Sequence, residues 1–98
     1  MFFSKKESEI NTTVQEKIVG LVIQFTPIAI YVYNVIDDFP EVSDGVISIY
    51  DMDDNLIEIS GTYISFELPE TKVSETKRKY GLHSTSLPII ELECKLNI

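Results

Sequence analysis

The chain has 98 residues, 44% of them apolar, with five Phe and five Tyr, so it is long and apolar enough to fold as one domain spanning residues 1–98. The net charge of −8 argues against direct binding to nucleic acid or to a membrane surface, and it favours a basic protein as partner. One cysteine excludes an intrachain disulfide, and the charged start does not fit a secretory signal, so we expect a cytoplasmic protein.

The first segment, residues 4–17, is predicted to form one short N-terminal helix. Ser4 and Glu7 have the spacing of a capping box, and the apolar residues that follow recur at helical intervals. The alternation of Ile10, Thr12 and Val14 would also suit a strand. We keep the helix as the prediction.

Residues 18–36 contain no charged side chain. One interpretation is a membrane-spanning helix, which needs about 20 apolar residues. We favour two buried strands near 17–25 and 28–36, because β-branched residues dominate and Thr26-Pro27 divides the run. Both strands are apolar on both faces, so each face must be covered by the rest of the chain or by a second copy in a homodimer.

Three alternating segments follow, at 46–50, 56–59 and 63–68, after a turn at Asp44-Gly45. We predict a three-residue loop, 53–55, between the first two, with positive φ at Asn55, because a two-residue loop would place Ile49 opposite Glu58.

A second turn is predicted at Ser60-Gly61, which would pair the last two of these segments. Together the two turns predict an outward row of Tyr50, Glu58 and Tyr63. They also predict one inward layer, whose members are Ile47, Ile49, Ile57, Ile59, Ile64, Phe66 and Leu68.

The segment 70–86 holds half of the basic residues, and we interpret it as a long mobile loop with a strand near 71–76 as an alternative. Residues 89–98 alternate clearly and predict a final strand. The predicted fold is therefore mainly β, a single antiparallel β-sandwich or half-barrel of about seven strands with one short N-terminal helix.

No motif for catalysis, metal binding or a cofactor is complete, so we assign no catalytic residue, metal ligand or cofactor. Asp51-x-Asp53-x-Asn55 imitates the start of a calcium loop, but Leu56 stands where Gly is required. His83 with Ser84 or Ser86 lacks a third group to orient it. Cys94 lies on the inward side of the last strand, which indicates a core position.

The acidic stretch is the remaining candidate. Ten acids and no Lys or Arg fall between Ile18 and Thr71, whereas ordinary surfaces mix both signs. Tyr adds contact area that suits protein interfaces. The predicted contact residues are Asp37, Asp38, Asp44, Tyr50, Asp53, Asp54, Glu58 and Tyr63.

The leading hypothesis is a non-enzymatic inhibitor of the immunity or anti-defence type, which covers the basic active site of a nuclease-like toxin or effector. A structural or phage-type assembly subunit that uses the apolar strands 18–36 is one alternative. A small hydrolase that uses His83 is another. The basic cluster Lys77–Lys79 is too small for a nucleic-acid site, although it could contact acids of a second copy.

Overall fold

The computed structural model describes residues 16–97. They form seven strands, one 3-10 turn and one α-helix. The strands are β1 (Ile18–Phe25), β2 (Ile30–Val35), β3 (Val42–Ser43), β4 (Val46–Asp51), β5 (Leu56–Ile59), β6 (Tyr63–Pro69) and β7 (Ile89–Lys95), and the helix is α1 (Val73–Lys79). The prediction of a mainly β chain is confirmed, with strand positions close to those expected. Most of the predicted N-terminal helix lies outside the described residues.

All seven strands belong to one sheet, and it is mixed. The order is β3-β4-β7-β2-β1-β6, with β5 on the other edge of β4. β2 and β7 are parallel, while every other pair is antiparallel. The prediction of a purely antiparallel fold is therefore wrong, although its strand number is right.

The sheet curls back on itself. Val22 of β1 shares one buried cluster with Ile49 of β4 and Ile59 of β5, although two strands separate β1 from β4 in the sheet. Such contacts require strong coiling, which the natural twist of strands provides. This first cluster forms the concave core.

A second buried cluster lies on the opposite face of β1 and β2. It contains Leu21, Ile23 and Val32, and it is covered by Leu82 and by neighbouring residues of the segment after β6. The prediction that β1 and β2 are covered on both faces is confirmed. One chain supplies both covers, so this pattern needs no second copy.

The prediction of a mobile loop with an alternative strand over residues 70–86 is wrong, because a 3-10 turn (Glu70–Lys72) and α1 occupy its first half. Gly81 ends the helix with φ of +77°, donating to the Arg78 carbonyl while Leu82 donates to the Lys77 carbonyl. This pair of bonds is a Schellman motif, and the buried Leu82 anchors it.

The same segment explains the parallel ladder. Parallel strands need a long crossover, usually a helix, and the segment carrying α1 crosses the β1 and β2 face between β6 and β7. β7 therefore enters the sheet running in the same direction as β2. A helix at this position is the feature of the sequence that would have indicated a mixed sheet.

The β4–β5 hairpin has a three-residue loop, as predicted, but the loop is 52–54 and the positive φ of 65° is at Asp54. The prediction of positive φ at Asn55 is wrong. Asn55 instead takes part in the ladder, because its carbonyl accepts from the Asp51 N–H. The register of the hairpin therefore differs from the prediction by two residues, and Ile49 pairs with Ile57. Because a difference of two preserves the alternation, every side chain stays on the predicted face.

The predicted hairpin at Ser60-Gly61 does not form, because β6 pairs with β1 over seven residue pairs. The predicted single inward layer is consequently divided between two clusters: Ile47, Ile49, Ile57 and Ile59 belong to the concave core, while Ile64, Phe66 and Leu68 belong to the second cluster.

Candidate functional site

The six candidate acids lie in three places. Asp44 is in the β3–β4 turn, where it and Gly45 both have positive φ. Asp53 and Asp54 are in the β4–β5 turn, at the other end of β4. β4 has six residues, so roughly 20 Å separates the two turns. Exposed Glu58 lies on β5 between them, opposite Ser48.

Asp37 and Asp38 follow β2, and Asp37 has a structural task. Its two carboxylate oxygens accept hydrogen bonds from the backbone N–H groups of Leu96, at 2.8 Å, and Asn97, at 3.3 Å. Partial desolvation raises the pKa of Asp37, but the N–H donors of Leu96 and Asn97 outweigh it and hold the pKa below its ordinary value. The carboxylate thus ties the chain after β7 to the end of β2.

We expect Asp37→Asn to destabilise the fold by about 1 kcal/mol at neutral pH, since an amide oxygen accepts more weakly than a carboxylate. The carboxylate's contribution should be present above about pH 5 and should disappear as pH falls through its lowered pKa. Urea unfolding at several pH values measures this. Asp38→Asn is the matched control and should change stability little, because within residues 16–97 the Asp38 side chain bonds only the adjacent Phe39 N–H. Equal losses for both variants at neutral pH would contradict the assigned role.

The calcium-loop resemblance is explained by the turn. Asp51 Oδ1 accepts from the N–H groups of Asp53 and Asn55, both at 2.9 Å. The Asn55 N–H bond is the main reason that the pKa of Asp51 is lowered. Within residues 16–97 no group of three or more His, Cys, Asp or Glu side chains is arranged to hold a metal ion.

The predicted outward row of Tyr50, Glu58 and Tyr63 does not form. Tyr50 is half-buried between Leu56 and Lys95 on the outer face of the sheet. Tyr63 packs against the concave core, and its hydroxyl donates to the Gly45 carbonyl at 3.2 Å. Only Tyr50 therefore shares a face with Glu58, because β6 joins β1 rather than β5.

The candidate acids are largely unpaired. In the described part of the chain the ion pairs are Lys72–Glu75, Lys77–Glu91 and Lys95–Asp54. Only Asp54 among the six acids has a basic partner there. Lys77 of α1 lies 2.8 Å from Glu91 of β7, and its hydrogen bond lowers the pKa of Glu91. The basic cluster thus contacts β7 and leaves the candidate turns uncovered.

The histidine and serine considered for catalysis share one exposed turn, and the cysteine lies in the core. His83 is exposed in the turn after α1, and the Ser84 hydroxyl donates to the Gly81 carbonyl. Cys94 is fully buried in the concave core, as predicted, and burial raises the pKa of its thiol to about 11, with smaller contributions from Asp51 and Glu93. Its thiol therefore stays protonated at neutral pH.

A groove that the sequence did not reveal lies between the loop after β2 and the outer edge of β6. Its volume is about 330 Å³, and its walls are Phe39–Val42 on one side and Ser65–Glu67 on the other. These two segments are more than 20 positions apart, and they meet because Pro40 packs over Gly20 of β1, the neighbour of β6. In the sequence, the only feature that relates to this groove is the alternation of polar residues along β6.

Comparison with protein-family models, with curated proteins and with solved structures finds no match to this chain. Between residues 16 and 97, no helix has the length and apolar character needed to cross a membrane. The uncharged run 18–36 forms β1 and β2, so its interpretation as a spanning helix is wrong.

Proposed function

We propose that this protein is a non-enzymatic cytoplasmic inhibitor, of the immunity or anti-defence type, that covers the basic active site of a nuclease-like toxin or effector. One observation carries the proposal. Asp38, Asp44, Asp53 and Glu58 are exposed and have no ion-pair partner among residues 16–97. Their charges are available to a cationic surface, and such complementarity accelerates association.

The arrangement of the β4–β5 hairpin combines charge with apolar contact area on one face. The Asp44 turn and the Asp53-Asp54 turn bracket its outer face, on which Glu58 and Leu56 are exposed and Tyr50 is half-buried. This surface is roughly 20 Å long, with acids at both ends and Glu58, Leu56 and Tyr50 between them, and it would form part of a protein interface of standard size. Asp38 lies beside this surface. Tyr63 packs against the concave core, so it would stabilise the fold rather than contact the partner.

The test uses purified basic nucleases and toxins encoded by the native host, assayed for inhibition and for association rate at increasing salt. We expect at least one to be inhibited in a one-to-one complex, with an association rate that falls steeply as salt is added. A variant lacking four charges should associate about tenfold more slowly at low salt. It carries Asp38→Asn, Asp44→Asn, Asp53→Asn and Glu58→Gln.

The matched control removes four exposed acids elsewhere, so both proteins have the same net charge. It carries Glu16→Gln, Glu70→Gln, Glu75→Gln and Glu93→Gln. The control should keep most of the wild-type rate, because screening limits the influence of distant charges. Equal slowing in both variants, or no inhibition of any basic nuclease, would refute the proposed surface.

The two alternatives lack such support. The apolar strands 18–36 suggested an assembly subunit, but this chain itself covers both of their faces. His83 suggested a hydrolase, but its exposed turn offers no hydrogen-bonded nucleophile among the described contacts.

A further inference from the structure

β6 has one paired edge and one free edge. It lies at the end of the sheet, and β1 is its only partner strand among residues 16–97. The Phe25 N–H bonds the Thr62 carbonyl, and the Glu70 N–H bonds the Lys17 carbonyl. In an antiparallel ladder these two bonds fix the alternation, so even-numbered residues of β6 bond β1 and odd-numbered residues point outward.

The outward backbone groups are those of Tyr63, Ser65 and Glu67. None of them bonds another backbone or side-chain group in the described part of the chain. Ser65 and Glu67 are exposed and form one wall of the groove beside Phe39–Val42. The edge is therefore accessible and has room beside it.

This edge has no lysine, bulge or internal proline to block it. Natural sheets block free edges with lysine, proline, bulges or very short strands. β6 spans seven residues, pairs regularly along its length, has no lysine and has its proline only at the last position. The outer strands at the other end of the sheet are shorter: β5 has four residues and follows the acidic β4–β5 turn, and β3 has two.

We propose that the free edge of β6 accepts an extended basic segment of a partner protein by β-strand addition, with alternate Lys or Arg side chains on the Glu67 face and apolar side chains on the Phe66 face. Main-chain bonds to Ser65 and Glu67 hold the segment in place. This surface differs from the β4–β5 hairpin, so the inference does not depend on the proposed function.

The side chains beside the edge define the partner's pattern. Glu67 lies on the concave face, and Glu41 stands across the groove, so a residue added there faces two carboxylates. On the opposite face Phe66 packs against Tyr80, with ring centroids 5.3 Å apart, and Tyr80 remains 41% exposed. Cross-strand neighbours interact directly, which selects alternating basic and apolar residues.

The charges favour a basic segment over a second copy. Each copy has a net charge of −8, and paired β6 strands would bring two copies of Glu67 and Glu41 to one seam. A partner with the opposite charge removes this repulsion.

The probe is the heptapeptide Lys-Val-Lys-Val-Lys-Val-Lys with a fluorescent label, titrated with the full chain. We expect saturable binding, and no binding of the peptide with Glu in place of Lys. Ser65→Pro should weaken binding about tenfold or more, because it removes an outward N–H and places a ring on the edge. Ser65→Ala is the matched control and should bind as the wild type does. Glu67→Lys should reverse the preference between the two peptides.

Two N-methylated peptides keep the test decisive if Ser65→Pro does not fold. One is methylated on the backbone nitrogens of the Lys residues and the other on those of the Val residues. Because the N–H groups of alternate residues point to the same edge of a strand, each peptide has one blocked edge and one free edge. Strand addition requires one of them to lose binding and the other to keep it. Equal binding of both, or no saturable binding at millimolar peptide, would overturn the proposal. So would a wild-type dimer in sedimentation that Glu67→Lys strengthens and that excludes the peptide.

Discussion

A chain that ends at Pro88, and so lacks β7, is expected not to fold. β7 pairs with β2 on one edge and with β4 on the other, and within residues 16–97 it is the only strand that joins β3, β4 and β5 to β1, β2 and β6. Its removal exposes the edges of both parts and takes Cys94 out of the concave core. The expected loss exceeds about 5 kcal/mol, the lower end of typical domain stability.

Circular dichroism and urea unfolding measure this loss. The matched control ends at Lys95, which keeps every residue pair of both β7 ladders; among the interactions of residues 16–97 it removes the Asp37 bonds and the packing of Leu96. This control should fold with a loss of about 2–3 kcal/mol. A cooperative unfolding transition in the chain that ends at Pro88 would show that β7 is not essential to the sheet.

Gly20→Val is expected to destabilise the protein by more than about 3 kcal/mol, and Gly20→Ala by about 1–3 kcal/mol. A Cβ on Gly20 would lie 2.8 Å from Pro40 Cδ and 3.0 Å from the Phe39 Cα, so loop backbone would have to move. The sign of the Gly20→Ala effect is informative, because in an ordinary strand the replacement of Gly by Ala stabilises the protein.

A double substitution separates close packing from other causes. Pro40→Ala removes the nearest atom, so its combination with Gly20→Ala should cost less than the sum of the two single losses. Urea unfolding of the four proteins gives this coupling. Additive losses would contradict the close contact. A more stable Gly20→Ala protein would show that the loop after β2 does not lie over Gly20.

The strand positions could be predicted from the sequence because burial follows a two-residue period that is local. Thr26-Pro27 correctly divided β1 from β2, and the alternation of Ile47 and Ile49 correctly placed β4 on the core. The error in the β4–β5 loop did not affect the predicted faces, because a change of register by two residues leaves each side chain on the same face.

The pairing of β6 could not be predicted in the same way. A strand of alternating residues fits the outer edge of β5 or of β1 equally well by pattern, and the choice depends on the coiling of the whole sheet. The helix α1 was within reach of the sequence. Lys77, Arg78 and Lys79 followed by Gly81 form a recognised C-terminal signal, which the basic composition obscured.

The site was predictable in charge but not in arrangement. Excess acid between Ile18 and Thr71 is visible by counting, and the exposure of Asp53 and Asp54 follows from their turn. The task of Asp37 required knowledge that β7 lies beside β2, and its contact with Leu96 joins positions 59 apart in the chain. Chemistry that depends on such distant pairs is not encoded in local pattern.

The parallel ladder also constrains how the molecule acquires its shape. Ile30 pairs with Ile89, so the ladder closes only after about sixty intervening residues have been ordered. Contacts of such long sequence separation slow folding, because the chain entropy is lost before the contact is gained. During synthesis all six other strands emerge before β7, so the edges of β2 and β4 that β7 later covers stay open, and such transiently unpaired edges promote aggregation.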